Sequence, residues 1–249
     1  TTTPAQKNTK MSGEAKNDYD SDRPAGQGFS TISLHHGQTL DPEHRARAPP
    51  IYASTSFAFE DAQHGADLFA LKKLGPIYTR IMNPTAHVLE YRLAKLEGSG
   101  CDLDGAHPSA LATASGQSAQ MIAIMTICQP GDHIISASDL YGGTYSQFTN
   151  MFPNMGIQTS MVDGQNLDAV KAAFKDNTKA VYYETLGNPS FNVPDFDAVA
   201  AICKEKQVPL IVDNTFGMAG YTCRPIKFGA NVVTSSCTKW IGGHGNTIG

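Results

Sequence analysis

From about Pro84 onward, short apolar runs alternate with stretches in which apolar residues recur every three or four positions. The first rhythm is that of strands buried on both faces, and the second that of helices with one covered face. Leu89, Leu93 and Leu96 predict a helix over Ala86 to Glu97, with Gly98 as its stop. The run Ala110 to Ala114 predicts a strand leading into Ser115-Gly116-Gln117-Ser118. A helix through Cys128 follows, apolar on most sides and expected to be buried. Pro130-Gly131-Asp132 marks a turn before a strand at His133 to Ala137. Next come a helix from about Gly143 to Met151 and a strand near Ile157 to Val162. Leu167, Val170 and Phe174 set a helix face before a strand at Lys179 to Glu184. Phe196, Val199, Ala200 and Cys203 set another before strands at Val208 to Val212 and Asn231 to Thr234. This alternation predicts an α/β domain with a mostly parallel sheet flanked by helices.

Upstream the pattern is weaker. Residues 1–28 are polar and nearly free of large aliphatics, which predicts a disordered tail. Thr39 to Pro50 reads as loop, broken by Asp41-Pro42 and Pro49-Pro50, and Ile51 to Phe59 as an extended arm. Residues 29–75 are therefore assigned to an N-terminal arm and 76–249 to the folded domain.

Composition narrows the function classes. With 41% hydrophobic and 17% charged residues in 249, the chain is an ordinary globular protein. A formal charge of -4 and no dense Lys/Arg patch argue against nucleic acid, and no eighteen-residue apolar run argues for a membrane span. Five cysteines without a C-x-x-C pair read as free thiols. With no Asn-x-Ser/Thr acceptor, they point to a cytoplasmic protein. No His/Cys spacing suits a metal, and neither nucleotide-binding glycine motif occurs.

Candidate chemistry gathers where the predicted strands end, as expected for open parallel sheets. Between Gly229 and Gly249, Lys239 is the only formally charged side chain. It is either a snorkelling loop lysine or a partly desolvated amine that forms a Schiff base with a carbonyl. Asp213 closes the apolar run Pro209 to Val212. It is either a cap or salt-bridge acid, or the partner that keeps a pyridine nitrogen protonated. Ser115-Gly116-Gln117-Ser118 opens a helix, as a plain cap or a phosphate cradle. Tyr141 lies on a glycine-rich loop and could stack on a planar ring. Asn188 precedes Pro189, as a turn or as a donor to a ring hydroxyl. Tyr78 and Arg80 suggest a surface ion pair or a phosphate contact.

Five segments in this order resemble one family. They are Ile77 to Thr85, Ser115-Gly116-Gln117, Glu184 to Pro189, Val212 to Phe216, and Ser236 to Gly245. Together they resemble the Cys/Met-metabolism group of pyridoxal-phosphate enzymes, and within it the O-acetylhomoserine sulfhydrylases. The resemblance runs from about Leu34 to Gly249 and implies a fold-type I large domain. It implies that Lys239 carries pyridoxal 5'-phosphate as a Schiff base and serves, with Tyr141, in catalysis. Asp213 would pair with the ring nitrogen, Tyr141 would stack on the ring and Asn188 would sit near its hydroxyl. Thr215 belongs to the same cofactor motif. Gly116, Gln117, Ser236 and Thr238 would hold the phosphate, and Tyr78 and Arg80 would reach that of a neighbouring subunit. A homo-oligomer, a dimer of active dimers, is implied.

The implied reaction is a transferase γ-replacement on O-acetyl-L-homoserine with sulfide or a thiol, giving homocysteine or methionine and acetate. Ile81-Met82 before Asn83, and Trp240-Ile241-Gly242-Gly243-His244, favour the sulfhydrylases over the lyases and cystathionine synthases. Ser235 and Cys237, where relatives often carry His and Ala, and an apparent insertion at 99–109 leave an amine or carbon nucleophile open. A γ-lyase is the other enzymatic alternative, and a non-catalytic cofactor-binding fragment the alternative outside enzymes. The family's C-terminal domain, with its arginine for the substrate carboxylate, is expected beyond Gly249. A protein ending there is expected to turn over poorly.

Overall fold

The computed structural model describes residues 27–99, 101 and 108–249. The predicted tail at 1–28 lies outside these residues except for Gln27 and Gly28, as does most of the 99–109 insertion.

Five strands form one all-parallel sheet in the order β2-β1-β3-β4-β5. They are β1 (His133–Ala137), β2 (Gln158–Val162), β3 (Thr178–Glu184), β4 (Leu210–Asp213) and β5 (Val232–Thr234). Alternate residues of β3 and β4 go to opposite faces, as the two-residue period of a strand requires. Val181, Tyr183, Leu210 and Val212 join Phe196, Val199 and Cys203 in one core layer. Ala180, Tyr182 and Ile211 join Ile124, Phe148 and Phe152 in the other. Both faces are thus covered, which is why these strands read as apolar runs.

The two longest helices covering the sheet begin with polar caps. Ser115 caps α4 (Gly116–Ile127) through the Ser118 amide, and Asp195 caps α7 (Phe196–Lys206) through that of Ala198. Between them lie α5 (Gly142–Ser146), which continues as a π-helical turn at Gln147–Met151, and α6 (Leu167–Ala172). The α7 face matches expectation, with Phe196, Val199 and Cys203 buried and Ala200 packed beside them.

Upstream, α1 (Phe29–His35), α2 (Ala62–Phe69) and α3 (Pro84–Gly98) precede the sheet. Neither α1 nor α2 is predicted by the sequence pattern. Ile32 of α1 packs on Leu96 and Ala219, a contact that only the folded chain supplies. Ile51 to Phe59 is extended and joins Tyr78 through one antiparallel bridge at Ser56.

Three expectations fail. Ala110 to Ala114 forms no strand; Leu111 is exposed, and the Ala112 amide donates to Glu90 Oε1 on α3 at 2.8 Å. Small alanines offer little to pack in a sheet, and a side-chain acceptor satisfies the backbone instead. Leu89 is exposed although Leu96 is buried, because α3 buries its C-terminal turns against α1. In α4 only Gln120 and Ile124 are buried, whereas Ile122, Met125 and Ile127 lie on the surface. A helix this apolar has one face on the sheet and another that the described residues leave uncovered.

At the opposite end of the strands from their carboxyl termini, His133 ties three of them together. Its ring is fully buried, with Nδ1 2.8 Å from Thr178 Oγ1 of β3 and Nε2 2.8 Å from Ser160 Oγ of β2. Burial, with help from the Lys175 charge, pushes its pKa down to about 4. An unfolded histidine protonates near pH 6.5, so between those values the unfolded chain binds the extra proton and stability falls with acid. The expected loss from pH 7 to 4.5 is about 2–3 kcal/mol. Urea unfolding should show a smaller loss over that interval in His133→Gln. An equal loss in the variant would assign the acid sensitivity elsewhere.

Candidate functional site

The carboxyl ends of β1, β3, β4 and β5 converge on one edge of the sheet, where α4 begins. Asp213 is the last residue of β4 and Glu184 the last of β3, and the two are register partners. Asp213 Oδ1 accepts the Thr215 amide at 2.9 Å and the Thr215 hydroxyl at 2.5 Å. Its Oδ2 faces the Tyr182 hydroxyl at 3.5 Å. No lysine, arginine or histidine among the described residues forms an ion pair with it. Burial raises its pKa, against the Thr215 and Tyr182 hydrogen bonds, which lower it. This is a carboxylate short of positive charge.

Glu184 is in the same position. Burial raises its pKa to about 8, opposed by the Tyr141 amide that donates to Oε1 at 2.8 Å and assisted by the Asp213 charge. That bond ties the loop after β1 to the end of β3. The Tyr141 side chain is exposed and its ring folds over Gly143, where a Cβ would meet Cε1 at 2.5 Å. An aromatic surface is thereby held over the edge beside the two carboxyls.

The start of α4 closes the other side. A Cβ at Gly116 would lie 2.8 Å from Cβ of Ser236, so only glycine lets the helix N-terminus approach the chain after β5. Gln117 Nε2 donates to the Gly143 carbonyl at 3.1 Å and to Gln147 Oε1 at 2.9 Å, joining α4 to α5. The Ser236 amide donates to Thr215 Oγ1 at 2.9 Å, which links β5 to the Asp213 loop. The Thr238 hydroxyl hydrogen-bonds the backbone of Gly249.

Lys239 sits in the π-helical turn Cys237–Ile241, at φ -90° and ψ -113°, a break from helical geometry. Its side chain is exposed, so the desolvated amine considered from sequence is not what the described residues provide. The uncharged neighbourhood seen in sequence is local, and no described element covers the amine.

The fold brings Gly116, Gln117, Tyr141, Asp213, Thr215, Ser236 and Thr238 to this edge, with Lys239 on the turn beside it. Asn188 belongs to the loop after β3, which returns on itself through the Gly187 amide to the Asn192 carbonyl, 2.9 Å. Tyr78 and Arg80 are not part of the cluster. Both are exposed just after the arm, and the Arg80 guanidinium stacks 5.4 Å from the Tyr78 ring centroid. The structure adds Glu184, Tyr182, Gln120 and Gln147, which the sequence does not single out. Glu184 alone has a visible signal, since it ends an apolar run as Asp213 does.

As a cradle this edge combines a helix N-terminus that favours a phosphate, an aromatic face and a carboxylate lacking a cation. Those are the features that a phosphorylated pyridine cofactor needs, and the residues present fit it. Among the described residues no His/Cys/Asp/Glu group could hold a metal ion.

Comparison with known proteins agrees. A homocysteine/cysteine synthase of Saccharomyces cerevisiae is 51% identical over 223 residues, covering 89% of this chain and 48% of that protein. An O-acetyl-L-homoserine sulfhydrylase of Thermus thermophilus is 48% identical over 221 residues, covering 88% and 51%. The crystal structure of an O-acetylhomoserine (thiol)-lyase from Campylobacter jejuni, which contains an N'-pyridoxyl-lysine-5'-monophosphate, superimposes with a TM-score of 0.83. It is 31% identical, and the match covers 90% of this chain and 52% of that one. The chain thus spans about half the length of the relatives it matches. The family model of Cys/Met-metabolism PLP-dependent enzymes matches residues 30–249, and the chain belongs to that family.

Proposed function

We propose that this chain supplies the cofactor-binding half of a transferase that replaces the γ-acetoxy group of O-acetyl-L-homoserine with sulfide, giving homocysteine and acetate. The observation that carries the reading is Asp213, a carboxylate with no cationic partner among the described residues, at the carboxyl edge of the sheet and on the same edge as the Lys239 turn. Relatives named homocysteine/cysteine synthase and O-acetyl-L-homoserine sulfhydrylase support it.

When bound, pyridoxal phosphate supplies an electron sink that stabilises negative charge at the substrate's α and γ-adjacent carbons. The chain's residues do the rest. Asp213 would hold a proton on the ring nitrogen, with Thr215 fixing the carboxylate through two hydrogen bonds to Oδ1. Gly116 and Gln117 at the N-terminus of α4, with Ser236 and Thr238, hold the phosphate. Tyr141 covers the ring, Asn188 orients its hydroxyl, and Lys239 Nζ takes the α proton and moves the β proton before acetate leaves. Residues 29–75 form an arm toward a neighbouring subunit, and 76–249 the cofactor-binding domain. The exposed Ile51, Phe69, Leu71 and Leu74 on the arm suit such a contact, with Tyr78 and Arg80 reaching the neighbour's phosphate. No helix among the described residues is long and apolar enough to cross a membrane.

The test is a nucleophile screen of the protein with O-acetylhomoserine, reading products by mass. Sulfide is expected to give homocysteine at a higher rate than amines or carbon acids. Ketobutyrate formed without any thiol would make the protein a γ-lyase. Products from amines or carbon acids alone would move it to a different γ-replacement.

A further inference from the structure

A buried chain of polar side chains runs beneath the candidate site, on the face covered by α4 and α5. Gln117 Nε2 donates to Gln147 Oε1 at 2.9 Å, and Gln120 Nε2 donates to the same oxygen. Gln120 Oε1 accepts the Thr144 hydroxyl at 3.1 Å and the Tyr182 hydroxyl at 2.9 Å. The Tyr182 hydroxyl also stands 3.5 Å from Asp213 Oδ2. Gln120, Gln147, Thr144 and Tyr182 are all buried, so each polar atom depends on these partners. The chain joins the phosphate end of the cradle, at Gln117, to its ring-nitrogen end, at Asp213.

The two oxygens of Asp213 are treated differently. Thr215 gives Oδ1 two donors, whereas Tyr182 is the donor facing Oδ2. A phenol has one proton to give. Gln120 Oε1 keeps the Thr144 hydroxyl when Tyr182 turns away, so the phenol can move to Oδ2 without orphaning a buried amide oxygen.

Resting on the cofactor reading above, we propose that Tyr182 is a positioning residue for Asp213, its hydroxyl holding Oδ2 and favouring the ionised carboxylate. Glu184, the carboxyl facing Asp213 from β3, offers it no positive charge, and burial with the Asp213 charge raises its own pKa to about 8. Tyr182 and Thr215 therefore supply the stabilisation that no cation among the described residues provides.

Tyr182→Phe removes the hydroxyl and keeps the ring packed edge-on against Phe148, whose centroid is 4.8 Å away. Losing a donor makes Asp213 more basic. It then draws the shared proton toward itself, leaving less positive charge on the cofactor ring. The pH at which the Lys239 nitrogen loses its proton rises accordingly. In protein loaded with pyridoxal phosphate, the midpoint of the pH-dependent change in visible absorbance should rise by about 0.5 unit, roughly threefold in proton affinity. The kcat should fall about threefold with less than a twofold change in KM, as expected for a group acting after binding. Tyr183→Phe is the control. Its hydroxyl donates to the Gly164 carbonyl at 3.2 Å on the other face, so the midpoint should not move.

An unshifted midpoint in Tyr182→Phe, or an equal shift in Tyr183→Phe, overturns the inference and leaves the cofactor reading intact. Failure of the unsubstituted protein to form an absorbing complex with pyridoxal phosphate overturns both.

Discussion

Replacing Lys239 with alanine should abolish covalent attachment of pyridoxal phosphate and reduce turnover by about 10³-fold or more, the scale set by a positioned proton-transfer group. Lys239 is exposed, so its truncation removes no packed side chain. The folded state should lose no more than about 0.5 kcal/mol, as for other surface changes. Chemistry and stability therefore separate. Borohydride reduction followed by mass spectrometry should add the pyridoxyl group to the peptide containing Lys239 in the unsubstituted protein and to no peptide in the variant. Lys239→Arg keeps the charge but cannot form the bond and should fail in the same way. Modification at another lysine, with activity retained, would remove Lys239 from its proposed role. A variant that merely unfolds would be seen in its urea midpoint, which is expected to stay unchanged.

That Lys239 can be singled out at all reflects what a sequence exposes. The central strands β3 and β4 are legible because parallel strands covered on both faces must be apolar, and each shows as a short apolar run closed by a carboxylate, whereas the edge strand β2 is half-buried and more polar. Asp213 is legible for the same reason, since a carboxylate ending such a run calls for an explanation. Glu184 offers an equal signal, but its bond to the Tyr141 amide spans 43 residues and no local pattern foretells it. Ala110 to Ala114 imitates a strand because alanine is apolar, yet it lacks the branched side chains that fill a sheet. The short helix α1 is invisible for the opposite reason. Phe29–His35 has no capping side chain and is held by Ile32 packing on residues far along the chain. Long-range partners, not local preference, decide what is missed.

The clearest such partnership is between Asn214 and Glu97, 117 residues apart, and it yields the largest expected effect on stability. Asn214 follows Asp213 and is fully buried. Its Nδ2 donates to both Glu97 oxygens at 2.9 and 3.0 Å and to the Cys223 carbonyl at 3.0 Å, while its Oδ1 accepts the Thr185 hydroxyl at 2.5 Å. A Cβ added at Gly217 would lie 1.8 Å from that Oδ1. The amide cannot retreat without leaving the buried Glu97 carboxyl unpaired, so Gly217→Ala should destabilise the fold by about 3 kcal/mol or more. Urea unfolding would measure this. Gly142→Ala, where a Cβ meets nothing within 4 Å, should change stability by less than about 1 kcal/mol. The effect also carries a pH signature. Burial raises the Glu97 pKa to about 7, while the Asn214 hydrogen bond and the Arg224 charge lower it. An unfolded glutamate titrates near 4.3, so the folded state holds the extra proton between those values and loses stability as pH rises through 7. Displacing Asn214 raises the Glu97 pKa further and enlarges that loss. The deficit of Gly217→Ala should accordingly be greater at pH 8 than at pH 5. A deficit that is the same at both values would mean that Glu97 keeps its partner and that the added methyl is absorbed elsewhere in the Asp213 loop.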